Sequence, residues 1–298
     1  MNVQINDDLN VLEEERKAIN QVKASVYAFT FIIGAILSIM LQNYTILIFI
    51  IPIGIVLSTV LTNSRTSKFK SLYKRIIILE IFKKLFSQYT YNPEQGFSYE
   101  LIKKLDLFEK ADRYISSDYI HAEYQNIEMQ MSDIDLTKIV RRGKHSKRIT
   151  IFKGQWYIFN FNKQFKSEVQ ILDSSFIYTN RHDFFDSKFN KIETENVEFN
   201  KNYFVFTKND FEAFYILTPQ IIEKLNEFKK RLNCQVLFVF KDNKLHIGVN
   251  SHRDYFEPDM DSPININSIE QKTLQEINVI ISLIKDLNLE KNLFRKEV

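Results

Sequence analysis

The side chains best suited to proton or nucleophile chemistry in this chain are His121, His145, His182, His246, His252 and the single cysteine, Cys234. An imidazole beside a carboxylate can serve as a general base, and His182-Asp183 and His252-Arg253-Asp254 bring the two types together in sequence. Adjacency along a chain is not a catalytic geometry, because reacting groups must converge in space. Cys234 stands just before an apolar strand signal and reads as packing rather than as a nucleophile. One cysteine excludes an intrachain disulfide and cannot build zinc-site spacing. Six glycines leave little room for a phosphate cradle, and no nucleotide-binding motif is present. These residues assemble no catalytic, cofactor-binding or metal-ligating set, and no cofactor is expected.

Cations form the second group of candidates. Lys68, Lys70, Lys74 and Arg75 follow a long apolar run, and Arg141, Arg142 and Lys144 lie in the densest basic stretch, Lys138 to Arg148 (KIVRRGKHSKR). Near a bilayer, such cations attract anionic headgroups by about 1 kcal/mol each. Those residues are therefore the candidate lipid contacts, with a solvated helix face and a solvated hairpin tip at Gly143 as the plain alternatives. The net charge of the whole chain is only +3, so no nucleic-acid partner is expected. The aromatic group Phe152, Trp156, Tyr157, Phe159, Phe161 and Phe165 could stack bases, but sheet alternation explains most of it as core.

The elements that must position these groups begin with an anchor. No charged residue occurs between Lys23 and Arg65. Within that gap, residues 24–41 and 45–61 are apolar runs separated by Gln42, Asn43 and Tyr44. Each would make a helix of roughly 27 Å, enough to cross a bilayer core. A buried hairpin of a water-soluble protein is the alternative. Lys and Arg flank the pair but are absent from its loop, which predicts both termini in the cytoplasm. Gly34 and Ser38, then Gly54 and Ser58, put small residues four apart, a spacing that lets helices approach closely. Pro52 is expected to bend the second span. No charge lies within the spans, so the pair reads as a tether rather than a conduit.

Around the tether, residues 1–23 predict an amphipathic cytoplasmic helix with Leu9, Leu12 and Ile19 on one stripe, and 63–90 a basic juxtamembrane helix. Residues 24–62 are the transmembrane hairpin, and 91–298 a cytoplasmic α+β domain. In that domain Ile127, Met129 and Met131 alternate with polar residues, as a half-buried strand requires. Arg148 to Phe161, Val169 to Leu172, Asn202 to Thr207 and Ala213 to Leu217 read as further strands. Thr218-Pro219 opens a helix, Asp242-Asn243 turns a hairpin, and Ser268 to Gln271 reads as a capping box for the last helix. The fold class is α+β: a two-helix transmembrane hairpin, then a mainly antiparallel sheet packed with helices.

Phe152-Lys153-Gly154 through Asn162-Lys163-Gln164-Phe165-Lys166 resembles the central motif of the bacterial family called domain of unknown function 3137. So do Val197-Glu198-Phe199, Tyr203-Phe204-Val205-Phe206, Tyr215-Ile216-Leu217-Thr218-Pro219 and Phe256-Glu257-Pro258. The chain departs from the pattern at His121-Ala122 and at Ser167, where the family tends to have glycine. The resemblance implies a bacterial membrane protein and carries over no catalytic residues. Together with the anchor it leads to an expected role: a membrane-anchored, cytoplasm-facing module in a bacterial inner membrane. Such a module would bind a protein partner, a second copy or the membrane surface. A tethered enzyme and an accessory subunit of a membrane complex are the alternatives.

Overall fold

The computed structural model of the chain describes residues 3–125, 127–143, 145–160, 167–181 and 188–287. The chain divides into two compact units: Met1–Ile81 with Phe256–Ile269, and Phe82–Tyr255 with Glu270–Val298. It passes between them at Ile81/Phe82, Tyr255/Phe256 and Ile269/Glu270.

The first unit is built on two helices, α1 (Val3–Met40) and α2 (Ile46–Tyr73), with Pro52 inside the second. Between them Gln42 adopts φ 49, and Asn43 Oδ1 accepts from the Thr45 backbone N–H (3.0 Å) and hydroxyl (2.7 Å), closing the turn. Glu15 pairs with Arg65 at 3.1 Å, and Thr30 lies against Gly54, so the helices run antiparallel. Their seam consists of the small residues that the sequence spaced four apart: Gly34, Ser38, Gly54 and Ser58 are all buried. A Cβ on Gly54 would sit 2.5 Å from Thr30 Oγ1, so only glycine permits this approach. Ser58 and Thr62 turn their hydroxyls back to carbonyls of their own helix at 2.8 Å. Helix α2 continues through a π-helical turn (Lys74–Ile78) into α3 (Leu79–Leu85).

The second unit is a nine-stranded antiparallel sheet in the order β1-β2-β3-β4-β9-β8-β5-β7-β6. Its strands are β1 (Gln88–Asn92), β2 (Arg113–Tyr124), β3 (Ile127–Arg142), β4 (His145–Asn160), β5 (Val169–Asp173), β6 (Asn190–Ile192), β7 (Tyr203–Thr207), β8 (Gln235–Lys241) and β9 (Lys244–Asn250). Helices α4 (Tyr99–Lys103), α5 (Val197–Asn202), α6 (Asp210–Ile216), α7 (Pro219–Leu232) and α8 (Ile266–Asp286) complete the elements among the described residues. The α+β class and the antiparallel sheet are as the sequence predicts.

The central strands are apolar on both faces because both faces are covered. On one face Phe152, Trp156, Leu172, Phe176, Leu237 and Val239 form a single core. On the other, Phe228 of α7 packs on Phe238 at 5.9 Å, and Phe238 meets Tyr203 edge-on at 6.1 Å. Gly248 is where a Cβ would meet the Trp156 ring at 2.4 Å, so the indole takes the space a side chain would fill. Phe152, Trp156, Tyr157 and Phe159 are buried, as the core reading of that aromatic group requires; Phe161 and Phe165 lie outside the described residues. The Asp242-Asn243 turn has φ of 50° and 58°, the pair of left-handed residues a tight hairpin needs.

Two sequence expectations change. Ala213 to Leu217, read as a strand, is the second half of α6, whose cap is Asn209: its side chain accepts from the Phe211 N–H at 3.1 Å. A short apolar run satisfies either period, and the cap decides it. The last helix begins three residues earlier than the capping-box reading, because Asn265 Oδ1 accepts from the Ser268 N–H at 3.1 Å. Asn265 is a better-placed acceptor than Ser268, which is already inside the first turn.

Candidate functional site

The hairpin is the first functional feature. Its two helices, Asp7–Met40 and Ile46–Leu85, are long and apolar enough to cross a membrane, and their most apolar windows are only 11% and 17% buried. Phe29, Phe31, Ile39, Ile48, Phe49 and Val60 point outward in turn around the pair.

At the charged end of the hairpin the helices are braced by the segment Phe256–Ile269. The Met260 carbonyl accepts from Arg16 Nη1 (2.7 Å) and Asn20 Nδ2 (2.6 Å), and the Ile264 N–H donates to Glu13 Oε2 (3.2 Å). Arg16 is held in turn by Glu13 through bonds of 2.9 and 2.7 Å. The Leu12, Arg16 and Ile19 stripe is thus buried within this unit.

The brace also reaches two of the cations expected to contact lipid, Lys70 and Lys74. Glu257 lies 2.6 Å from Lys70 Nζ and 3.0 Å from Lys74 Nζ, and the Lys74 side chain is only 9% exposed. Burial would raise the Glu257 carboxyl, but the hydrogen bonds and charges of Lys70 and Lys74 outweigh it and hold it below the ordinary range. Burial, followed by the Glu257 charge, pushes the Tyr73 phenol up to about 12. Lys68 and Arg75 lie on the exposed surface of the same helical segment.

The remaining predicted cations lie on the β3–β4 hairpin. Gly143 at φ 60° forms its turn. Arg141 is exposed and pairs in register with Ser146, while Arg142 lies opposite His145. Lys144 lies outside the described residues. The predicted cations therefore fall into a helical set, of which Lys70 and Lys74 are braced by Glu257, and a sheet set.

A cleft of about 550 Å³ lies in the second unit, lined by residues that include Asp173, Glu198, Lys229, Lys230 and Cys234. Both of its carboxylates are paired, and Lys201 adds a further cation to the lining. Asp173 accepts from the Ser175 N–H (3.0 Å) and hydroxyl (2.7 Å) and pairs with Lys229 at 3.0 Å; Glu198 pairs with Lys230 at 2.9 Å. Burial, then the Asp173 charge, pushes the Cys234 thiol up to about 11, so it is protonated near neutrality and a poor nucleophile.

Among the described residues the imidazoles do not converge. His121 pairs with Glu128 at 2.7 Å on the exposed side of β2 and β3. His246 is buried and accepts at Nδ1 from Trp156 Nε1–H at 3.3 Å. Burial, then Lys244 and Lys241, lowers it to about 3, so it stays neutral. Asp254 binds Lys153 at 2.9 Å rather than its neighbour His252. His182 and Asp183 lie outside the described residues. Among the described residues no cluster of His, Cys, Asp and Glu could hold a metal ion.

A strand reading of Ala213 to Leu217 hides an aromatic face on α6. Phe211, Phe214 and Tyr215 stand at helical i, i+3, i+4 spacing on its outer face, and Phe211 is 86% exposed. Ala213 and Ile216 bury the opposite face. Helical phasing of the same residues, with Asn209 as the cap, would have found it.

Residues 150–289 match the family described as protein of unknown function (DUF3137). No curated protein matches the chain. Among solved structures it is similar to the crystal structure of the mycobacterial trehalose monomycolate transport factor A, TtfA. That similarity has 8% sequence identity and a TM-score of 0.40, over 72% of this chain and 95% of that one. A likeness at that score carries no argument about function.

Proposed function

We propose that this chain, which belongs through residues 150–289 to the family of proteins of unknown function DUF3137, is a membrane-anchored, non-catalytic module. Its hairpin spans a bacterial inner membrane with both ends in the cytoplasm, and its sheet unit binds a protein partner there. The exposure of the apolar hairpin carries this reading. A core hairpin of a water-soluble protein is mostly buried, whereas these windows are 11% and 17% buried. Leaving a large aliphatic or aromatic side chain in water forgoes about 1.5–3 kcal/mol, and a lipid phase removes that loss for the whole surface at once. The cations beside Lys23 and Arg65, absent from the connecting loop, support the direction.

The outer face of α6 is the proposed partner contact, since exposed aromatics at one face anchor protein interfaces. An enzymatic reading is disfavoured: the cleft's two carboxylates are held in ion pairs, its thiol is protonated, and the described imidazoles stand apart.

The test uses the full chain in bacterial membranes. The protein should resist alkaline carbonate extraction. In a Cys234→Ser background, the Tyr44→Cys variant should react with a membrane-impermeant maleimide from outside intact spheroplasts. Extraction into the carbonate supernatant would remove the anchor, and labelling only after lysis would reverse the direction. A protein that co-purifies with the detergent-solubilised chain should be lost from the Phe211→Ser/Phe214→Ser variant; undiminished recovery would place the contact elsewhere.

A further inference from the structure

The longest strands of the sheet, β3 and β4, run past their neighbours. Strand β2 pairs with β3 only as far as Thr137, and β9 pairs with β4 only from Gln155 onward. Beyond Thr137 the two strands pair only with each other, from Lys138↔Ile149 to Arg142↔His145. The free ribbon is about 17 Å long at the usual rise per residue.

Its chemistry is uniform. Residues 138–148 contain no Asp or Glu. At the root, Glu109 neutralises Lys138 at 2.8 Å, and Asp112 accepts from the Ile139 N–H at 2.6 Å. Past that root, Arg141, Lys147 and Arg148 are exposed, and none of them makes an ion pair among the described residues. Register partners share a face of a sheet, so Ile139 lies beside Arg148 on one face and Val140 beside Lys147 on the other. Ile139 is 43% exposed. Each face thus joins an aliphatic side chain to a cation.

We infer that this ribbon docks on an anionic lipid surface, with Arg141, Lys147 and Arg148 holding headgroup phosphates and Ile139 and Val140 entering the interfacial layer. This inference rests on the anchored reading, because the tether keeps the ribbon at high local concentration near lipid. The mixed aliphatic and cationic faces match an interfacial surface. Single-stranded nucleic acid fits less well, since residues 138–148 contain no Phe, Tyr or Trp on which a base could stack. Each cation held near an anionic bilayer shifts the docked-to-free ratio by roughly fivefold, so three together account for on the order of 100-fold.

The test places an environment-sensitive fluorophore on the full-length Cys234→Ser/Ser146→Cys variant, reconstituted in lipid nanodiscs. In discs with about one third phosphatidylglycerol the emission should shift to the blue and resist an aqueous quencher; phosphatidylcholine discs should give neither effect. High salt should reverse the shift, because the screening length falls to about 3 Å at 1 M. Adding Arg141→Glu, Lys147→Glu and Arg148→Glu should lower the docked-to-free ratio by on the order of 100-fold. These substitutions sit at exposed positions, and an unchanged melting temperature verifies the fold. Identical emission in both disc types overturns the inference, as does a response to single-stranded RNA without a response to anionic lipid. A chain that fails to enter the discs removes the anchored reading and this inference together. A chain that enters with its ribbon still wet removes this inference alone.

Discussion

At the scale of single residues, Glu257 carries the most consequence in the first unit, because one carboxylate serves both Lys70 and Lys74. Glu257→Gln removes the negative charge shared by Lys70 and the nearly buried Lys74 and should cost about 1–3 kcal/mol, discounted for the exposure of Lys70. Thermal unfolding in detergent measures it, and an unchanged midpoint would remove the brace from the account. Because the folded carboxyl titrates below its ordinary 4.5, the stability it contributes is present above that value. It is lost as the pH falls through the lowered folded value. Glu276 of α8 behaves in the opposite sense: burial raises it to about 7, against the pull of Lys272 and Arg253. The folded state then holds a proton that the unfolded state releases, so stability declines as the pH climbs from 4.5 toward 7. Glu276→Gln should flatten that decline and raise stability above neutral pH by about 1–2 kcal/mol after allowance for solvent screening. Superimposable pH profiles of variant and parent would contradict this.

At the scale of elements, caps and close approaches decide what apolar patterns leave open. The start of α8 depends on Asn265, so Asn265→Ala should cost about 1 kcal/mol and Ser268→Ala much less. The reverse order in chemical denaturation would restore the capping box read from the sequence. Gly54 marks the tightest point of the α1–α2 seam, where an added Cβ meets Thr30 Oγ1 at 2.5 Å. Gly54→Leu should part the helices and destabilise the hairpin by about 1–3 kcal/mol in detergent. The glycine and serine spacing was legible because helical period alone puts such residues on one face. The outer face of α6 is hidden when Ala213 to Leu217 is read alone, which is too short to show its period; only the longer phasing of Phe211, Phe214 and Tyr215 behind the Asn209 cap brings it out.

At the scale of the whole molecule, the arrangement is an interrupted one. The bracing segment Phe256–Ile269 belongs with the N-terminal helices although it follows the last strand, β9, in the chain. A direct consequence is that Lys70 and Lys74 are ion-paired to Glu257 of that segment, while Lys68 and Arg75 on the helix and Arg141, Lys147 and Arg148 on the ribbon are exposed. Charge reversal of the ribbon should therefore alter lipid response without moving the melting temperature, and Glu257→Gln should do the opposite. Parallel melting curves and fluorescence in anionic nanodiscs separate the two; a common effect would merge the two sets of cations.

By itself the sequence determined what depends on local period and composition. An uncharged gap from Lys23 to Arg65 can only be two long apolar helices, alternation from Ile127 onward can only be a strand, and Asp242-Asn243 closes a hairpin through its own backbone freedom. Tertiary structure decided what depends on residues far apart in the chain. Glu257 meets Lys70 and Lys74, Arg16 meets the Met260 carbonyl, and Asp254 meets Lys153 rather than His252. The physical reason is range: backbone period and capping act over a few residues, whereas an ion pair or a buried thiol is set by whichever distant segment the fold brings within a few ångströms.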